Sequence, residues 1–116
     1  MTEPTSYAKG LWAEQMALMY LRLKGHRLKK RRFKTSHGEI DLITETYDHV
    51  VFTEVKMRAT HKQAAHAITA YQKKRLQNAA LMYLQHYPSQ KKMRFDVLLV
   101  NRRQFPIHLK NVLWSE

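Results

Sequence analysis

The sequence predicts an α/β fold in which one sheet carries two helices. Three observations predict it. Two segments place apolar residues at helical spacing, and β-branched segments stand between and after them. The length of 116 residues suits one domain and leaves little room for a second. Apolar residues make up 44% of the chain, which suits a packed core rather than a disordered basic tail.

The first helix is expected from about Ser6 to Lys24, where Leu11, Trp12, Met16, Met19, Tyr20 and Leu23 recur at helical spacing. Gly25 sits where a left-handed cap would end it. Arg27–Lys34 is short and basic, the pattern of an outer strand, and Gly38 punctuates. Two strands follow, Gly38–Glu45 (GEIDLITE) and Val50–Arg58 (VVFTEVKMR), joined by a turn at Tyr47-Asp48. Thr60 with Gln63 reads as a capping box opening a second helix. That helix would run through Ile68, Tyr71, Leu76, Ala79, Ala80, Tyr83 and Leu84 until Pro88 forbids continuation. Arg94–Val100 is an apolar strand, and Pro106–Val112 adds a last short one. The order is α-β-β-β-α-β-(β), and a sheet flanked by both helices is its natural packing. No repeat, low-complexity segment or long linker divides the chain, so residues 1–116 read as a single domain.

Composition removes several classes of function. The chain has no cysteine, which excludes disulfide scaffolds, Cys-ligated zinc, iron–sulfur clusters and thiol catalysis. No apolar run approaches the roughly 18–20 residues that span a bilayer, so no membrane partner is expected. The N-terminal MTEPTSYAKGLWAEQ is interrupted by acids and polar residues and does not read as a signal peptide. The expected compartment is the cytoplasm. Seven histidines show no ligand grouping; His61 and His66, five apart, do not share a helix face. Neither a Ser-His-Asp set nor a Gly-rich phosphate loop is visible.

Charge points towards a polyanion. There are 21 Lys+Arg against 9 Asp+Glu, a formal net charge of +12. On a folded domain this favours nucleic acid over an anionic membrane surface or an acidic protein. Arg22, Lys24, Arg27, Lys29, Lys30, Arg31, Arg32 and Lys34 crowd between Glu14 and Glu39 with no acid among them. Eight such cations exceed what a solvated edge strand needs to avoid aggregation, so phosphate contact is expected from Lys29, Lys30, Arg31, Arg32 and Lys34. Five of the nine acids then follow closely: Glu39, Asp41, Glu45, Asp48 and Glu54. Carboxylates beside a phosphate binder would repel its ligand. The pattern suits a protein that holds a cation next to a phosphate.

Strand geometry sharpens that expectation. Alternation would place Glu39, Asp41, Ile43 and Glu45 on one face, and Phe52, Glu54, Lys56 and Arg58 on one face of the next strand. Counting back from a two-residue turn sets Asp41 opposite Glu54, a pair that repels unless a proton or cation lies between. Lys56 aims an ammonium into the same space. Asp, Glu and Lys converging on a strand pair are the parts of metal-dependent phosphodiester hydrolysis, and hard oxygen ligands select Mg²⁺ or Mn²⁺. The plain alternative is a solvent-facing hairpin whose Glu54 and Lys56 make exposed cross-strand pairs.

Gly38-Glu39-Ile40-Asp41-Leu42-Ile43, Phe52-Thr53-Glu54-Val55-Lys56-Met57-Arg58 and Arg94-Phe95-Asp96-Val97 resemble the signatures of the bacterial YraN family. The resemblance runs from Gly10 through the C-terminal strand. It implies the restriction-endonuclease-like fold of the PD-(D/E)xK nucleases, near the Holliday-junction resolvases, and it implies DNA, including branched DNA, as substrate. By that pattern Asp41 is the motif aspartate, Glu54 and Lys56 are the paired Glu and Lys, and Glu14 is a further metal ligand on the first helix. Resolvase-like enzymes act as dimers, so the resemblance admits a homodimer. Two positions depart from it: Arg32 stands where relatives commonly carry Asn, and Gln72 where they commonly carry Lys.

Arg58, Gln72, Lys73, Lys74 and Arg75 extend the expected nucleic-acid surface. Glu14 has a plainer reading as a helix glutamate paired with a nearby cation, and Glu39 as a rim salt bridge with the basic strand. Asp96, two residues from Arg94 on one strand face, reads best as a structural ion pair. The sequence therefore supports a metal-dependent nuclease acting on DNA, with a non-catalytic nucleic-acid-binding module on the same fold as the alternative.

Overall fold

The computed structural model describes residues 6–57 and 69–112. Its elements are α1 (Ser6–Leu23), β1 (Arg27–Thr35), β2 (Gly38–Glu45), β3 (His49–Met57), α2 (Ala70–His86), β4 (Lys92–Val100) and β5 (Ile107–Leu109). The strands form one mixed sheet in the order β1-β2-β3-β4-β5. Only β3 and β4 pair in parallel. A parallel pair needs a crossover, and α2 lies within it.

The two helices cover opposite faces. Leu76, Ala79, Ala80 and Tyr83 of α2 pack on Ile43, Val50, Phe52 and Phe95. Ala13, Ala17, Leu18 and Leu21 of α1 pack on Leu42, Leu98 and Val100. Neighbours such as Leu42 and Ile43 thus face different helices, as the pleat requires.

Several elements differ from expectation in instructive ways. The stripe expected to bury α1 is split: Trp12, Met16 and Tyr20 pack at the edge of its core, Leu11, Met19 and Leu23 are exposed, and Ala13, Ala17, Leu18 and Leu21 form the buried row. Small side chains let helix and sheet approach closely. Gly25 does end the helix, at φ 92°, with the His26 N–H reaching the Leu21 carbonyl at 3.0 Å. The helix that carries Leu76, Ala79, Ala80 and Tyr83 opens at Thr69. Thr69 Oγ1 accepts the Gln72 N–H at 3.1 Å while Gln72 Oε1 accepts the Thr69 N–H at 3.0 Å. Both Thr60-Gln63 and Thr69-Gln72 fit the capping-box spacing. The expected start at Thr60, and Arg58, lie outside the described residues.

Gly38 opens β2 because nothing larger fits. A Cβ there would stand 2.2 Å from the backbone oxygen of Arg75, so α2 rests directly on the strand.

Candidate functional site

The turn between β2 and β3 sets the register on which the site depends. Thr46 N–H bonds the His49 carbonyl at 3.0 Å, and Glu45, Thr44, Ile43 and Leu42 pair with Val50, Val51, Phe52 and Thr53 in turn. This is the register expected from a two-residue turn. Past Leu42 the ladder gives way to a side chain: Asp41 Oδ2 accepts the Val55 N–H at 2.8 Å.

The face assigned to Asp41 needs correcting. Ile40 and Ile43 both pack with α2, three residues apart, which strict alternation forbids. Asp41 lines a concavity of about 300 Å³ with Gly10, Glu14, Arg32, Lys34 and Glu39, so it does not share a face with Ile43. The same place on β1 is irregular: Arg32 has φ 51°, and the β1–β2 ladder runs from Arg31–Leu42 to Phe33–Ile40 without an Arg32–Asp41 pair. Arg32 and Asp41 line the same concavity as Glu14 of α1.

Four carboxylates sense one another here. Burial and then the Glu54 charge push the Asp41 carboxyl up to about 7, against the Val55 hydrogen bond, with Glu14 and Glu39 adding to the rise. Burial also raises Glu54, opposed by Lys56 and reinforced by Glu39 and Glu14. Lys56 Nζ stands 3.3 Å from Glu54 Oε1, both side chains mostly buried. The exposed-hairpin alternative therefore fails. Glu14 is held by Arg32, whose Nε lies 2.9 and 3.2 Å from its two carboxylate oxygens.

Among the described residues no three His, Asp or Glu side chains are gathered around a common ion position. Mg²⁺ asks for less, since one or two carboxylates suffice when substrate phosphate and water complete its shell. Asp41 and Glu54, partly buried and mutually repelling, fit that demand. Glu14 would join only by leaving Arg32.

The expected phosphate binders are distributed unevenly. Lys29, Lys30, Arg31 and Lys34 are exposed on β1, an edge of the sheet, and Lys34 reaches the rim of the carboxylate concavity. Lys30 Nζ also lies 5.4 Å from the Tyr87 ring centroid. Gln72 is committed to its capping box, and Lys73 is half-buried beside it.

Asp96 is the structural ion pair its spacing suggested, and more. It is fully buried, with Arg94 Nε and Nη2 at 3.0 and 2.9 Å, the Asn111 N–H at 3.0 Å and His108 Nε2 at 2.6 Å. His108 was invisible to sequence reasoning because β5 brings it to Asp96 through a tertiary register. Its neighbour His26 bonds Thr44 Oγ1 at 2.8 Å and is driven down to about 4 by burial and then by Arg94.

Among the described residues no helix is long and apolar enough to cross a membrane. Residues 13–100 match the family described as "Uncharacterised protein family UPF0102". A UPF0102 protein of Bradyrhizobium sp. (strain BTAi1) is 42% identical over 106 residues, which cover 90% of this chain and 78% of that one. One from Rhodopseudomonas palustris (strain BisA53) is 42% identical over 90% of this chain and 82% of its own. Another, from Nitrobacter winogradskyi, is 40% identical over 90% of each. With the helix-flanked five-stranded sheet that its motifs led one to expect, the chain belongs to the UPF0102 (YraN) family.

Proposed function

We propose that the protein is a metal-dependent nuclease that hydrolyses phosphodiesters of DNA. The observation that carries the reading is the Asp41 carboxylate in a concavity lined also by Arg32 and Lys34, repelled by Glu54, which Lys56 meets at 3.3 Å. Asp41 and Glu54 would hold Mg²⁺ or Mn²⁺, with Glu14 as a further ligand. Such an ion polarises the scissile phosphate and acidifies a bound water. Val55 N–H fixes the Asp41 carboxylate, so its free oxygen is aimed before substrate arrives. Lys56 brings an ammonium to Glu54, where it offsets charge that builds on the phosphate oxygens. Lys29, Lys30, Arg31 and Lys34 along the edge strand, with Arg58 and Lys73, would track the backbone without reading sequence.

One observation favours a second reading. Glu14 is neutralised by Arg32 and Glu54 by Lys56, the arrangement of a module that binds nucleic acid without cutting it. A cleavage assay separates the two, run on branched, nicked and linear duplexes and on RNA with Mg²⁺ or Mn²⁺. Asp41→Asn and Glu54→Gln should abolish metal-dependent product, and Lys56→Ala should slow it roughly 10²–10³-fold. No product from the wild type on any substrate would overturn the nuclease reading and favour the binding module.

A further inference from the structure

On the far flank of α1 lies a second concavity, of about 440 Å³, whose lining includes Trp12, Met16, Val100, Arg102, Arg103 and Phe105. We propose that it is a stacking cradle for an unpaired nucleobase, with Arg102 and Arg103 taking the adjoining phosphates. The inference rests on reading the carboxylate concavity as a nucleic-acid site. It deepens that reading by naming the substrate class: DNA that carries unpaired nucleotides beside a duplex.

The lining chemistry selects this occupant. Two aromatic rings and a planar guanidinium offer flat faces, and every base has a π-face to set against them. Arg102 already lies over the indole, its Cζ 5.1 Å from the Trp12 ring centroid. Phe105 is 91% exposed, a large apolar ring left in water at the rim. Among the described residues no acid lines the concavity, whereas two arginines do, in a chain of net charge +12. A flat apolar group attached to anions meets both demands. An apolar peptide segment would leave the arginines unanswered.

The cradle is formed in advance. Asn101 Oδ1 accepts the N–H groups of Arg103 and Gln104 at 2.8 and 2.9 Å, which pins the turn that carries both arginines and leads into Phe105.

Its position completes the argument. Gly10 and Glu14 line the carboxylate concavity, and Trp12 and Met16 line the cradle. Each pair is one helical turn apart, and at about 100° per residue the two pairs fall on either flank of the buried Ala13–Ala17 row. On the sheet, Val100 at the end of β4 pairs with Met57, the residue after Lys56. Both concavities therefore flank the same stretch of α1, residues 10–16, so one DNA molecule that crosses this stretch can meet both.

The test is metal-free binding in EDTA, read by fluorescence anisotropy with three labelled DNA probes. These are a blunt duplex, the same duplex with a single-stranded tail, and the tailed duplex with abasic tail positions. Phe105→Ala removes an exposed ring with little cost to the fold, and Arg102→Ala tests the guanidinium. Each should weaken the tailed duplex about tenfold, with the blunt and abasic probes changed less than twofold. In a Trp114→Phe background Trp12 is the sole tryptophan, and its emission should be quenched by the tailed duplex and not by the blunt one. Equal losses on all probes, or none on any, overturn the cradle. So does a change in sedimentation of the free protein with DNA affinity intact, which would assign the groove to a second copy of the chain. Because no metal is present, the cradle can stand in a protein that cleaves nothing and can fall in one that cleaves.

Discussion

The Asp41 carboxylate accepts the Val55 N–H at 2.8 Å, so a β2 side chain takes over where the β2–β3 ladder stops. A carboxylate used in this way is buried next to Glu54 at a cost in stability. Asp41→Asn keeps an oxygen for Val55 and removes the repulsion. Without metal the variant should be more stable than wild type by about 1–2 kcal/mol, by urea denaturation, and inactive in cleavage. Lower stability would show that Asp41 is structural.

The exposed cations of β1 predict a salt dependence. Affinity for duplex DNA should fall with a log–log slope of about −0.9 per phosphate contacted. Replacing Lys29, Lys30 and Arg31 with Ala should flatten that slope and weaken all sequences about equally. Arg32→Ala should behave differently, because its guanidinium is spent on Glu14. A wild-type slope near zero, from titrations at several salt concentrations, would point to a protein partner.

Gly38 predicts an exception to a general rule. Gly→Ala in extended backbone usually gains stability by restricting the unfolded chain. Here the added methyl meets the Arg75 backbone, which cannot swing aside as a side chain could. Gly38→Ala should cost about 1–3 kcal/mol in chemical denaturation. A gain would mean that α2 is free to lift from β2.

His26 predicts an acid limb of the stability curve. Burial and then Arg94 lower it; the other titratable and charged groups around it are His108 on β5, Asp96 on β4 and Lys24 after α1, and together they hold it neutral to about pH 4. The unfolded chain takes up its proton near 6.5. Stability from this group is fully present above 6.5 and is lost as pH falls towards 4. Between pH 7 and pH 5 the loss is about 2 kcal/mol. His26→Gln should show a correspondingly shallower decline, and an identical profile would place the acid sensitivity elsewhere.

Local patterns were legible and tertiary ones were not. Gly38–Glu45 was readable to the residue because an apolar, β-branched segment stands between a glycine and a turn. The β2–β3 register from Glu45–Val50 to Leu42–Thr53 followed from the short turn at Tyr47-Asp48. The reversal of the pleat at Asp41 could not be read; it accompanies a positive φ at Arg32 on the neighbouring strand, and arginine does not advertise that conformation as glycine or asparagine does. Nor could the Glu14–Arg32 pair, which joins a helix to an edge strand. The second capping box was present at Thr69 all along, but spacing alone cannot rank it against Thr60.

β1 has a sheet neighbour on one side only, and its nine residues include Arg27, Lys29, Lys30, Arg31, Arg32 and Lys34. Were a second copy to add its own β1 alongside, cations would stand against cations along the whole seam. The strand that solicits a polyanion thereby forbids the sheet from lengthening by self-addition. A polynucleotide lying along it would lift that veto, so crowding of copies at this edge becomes conditional on the bound strand.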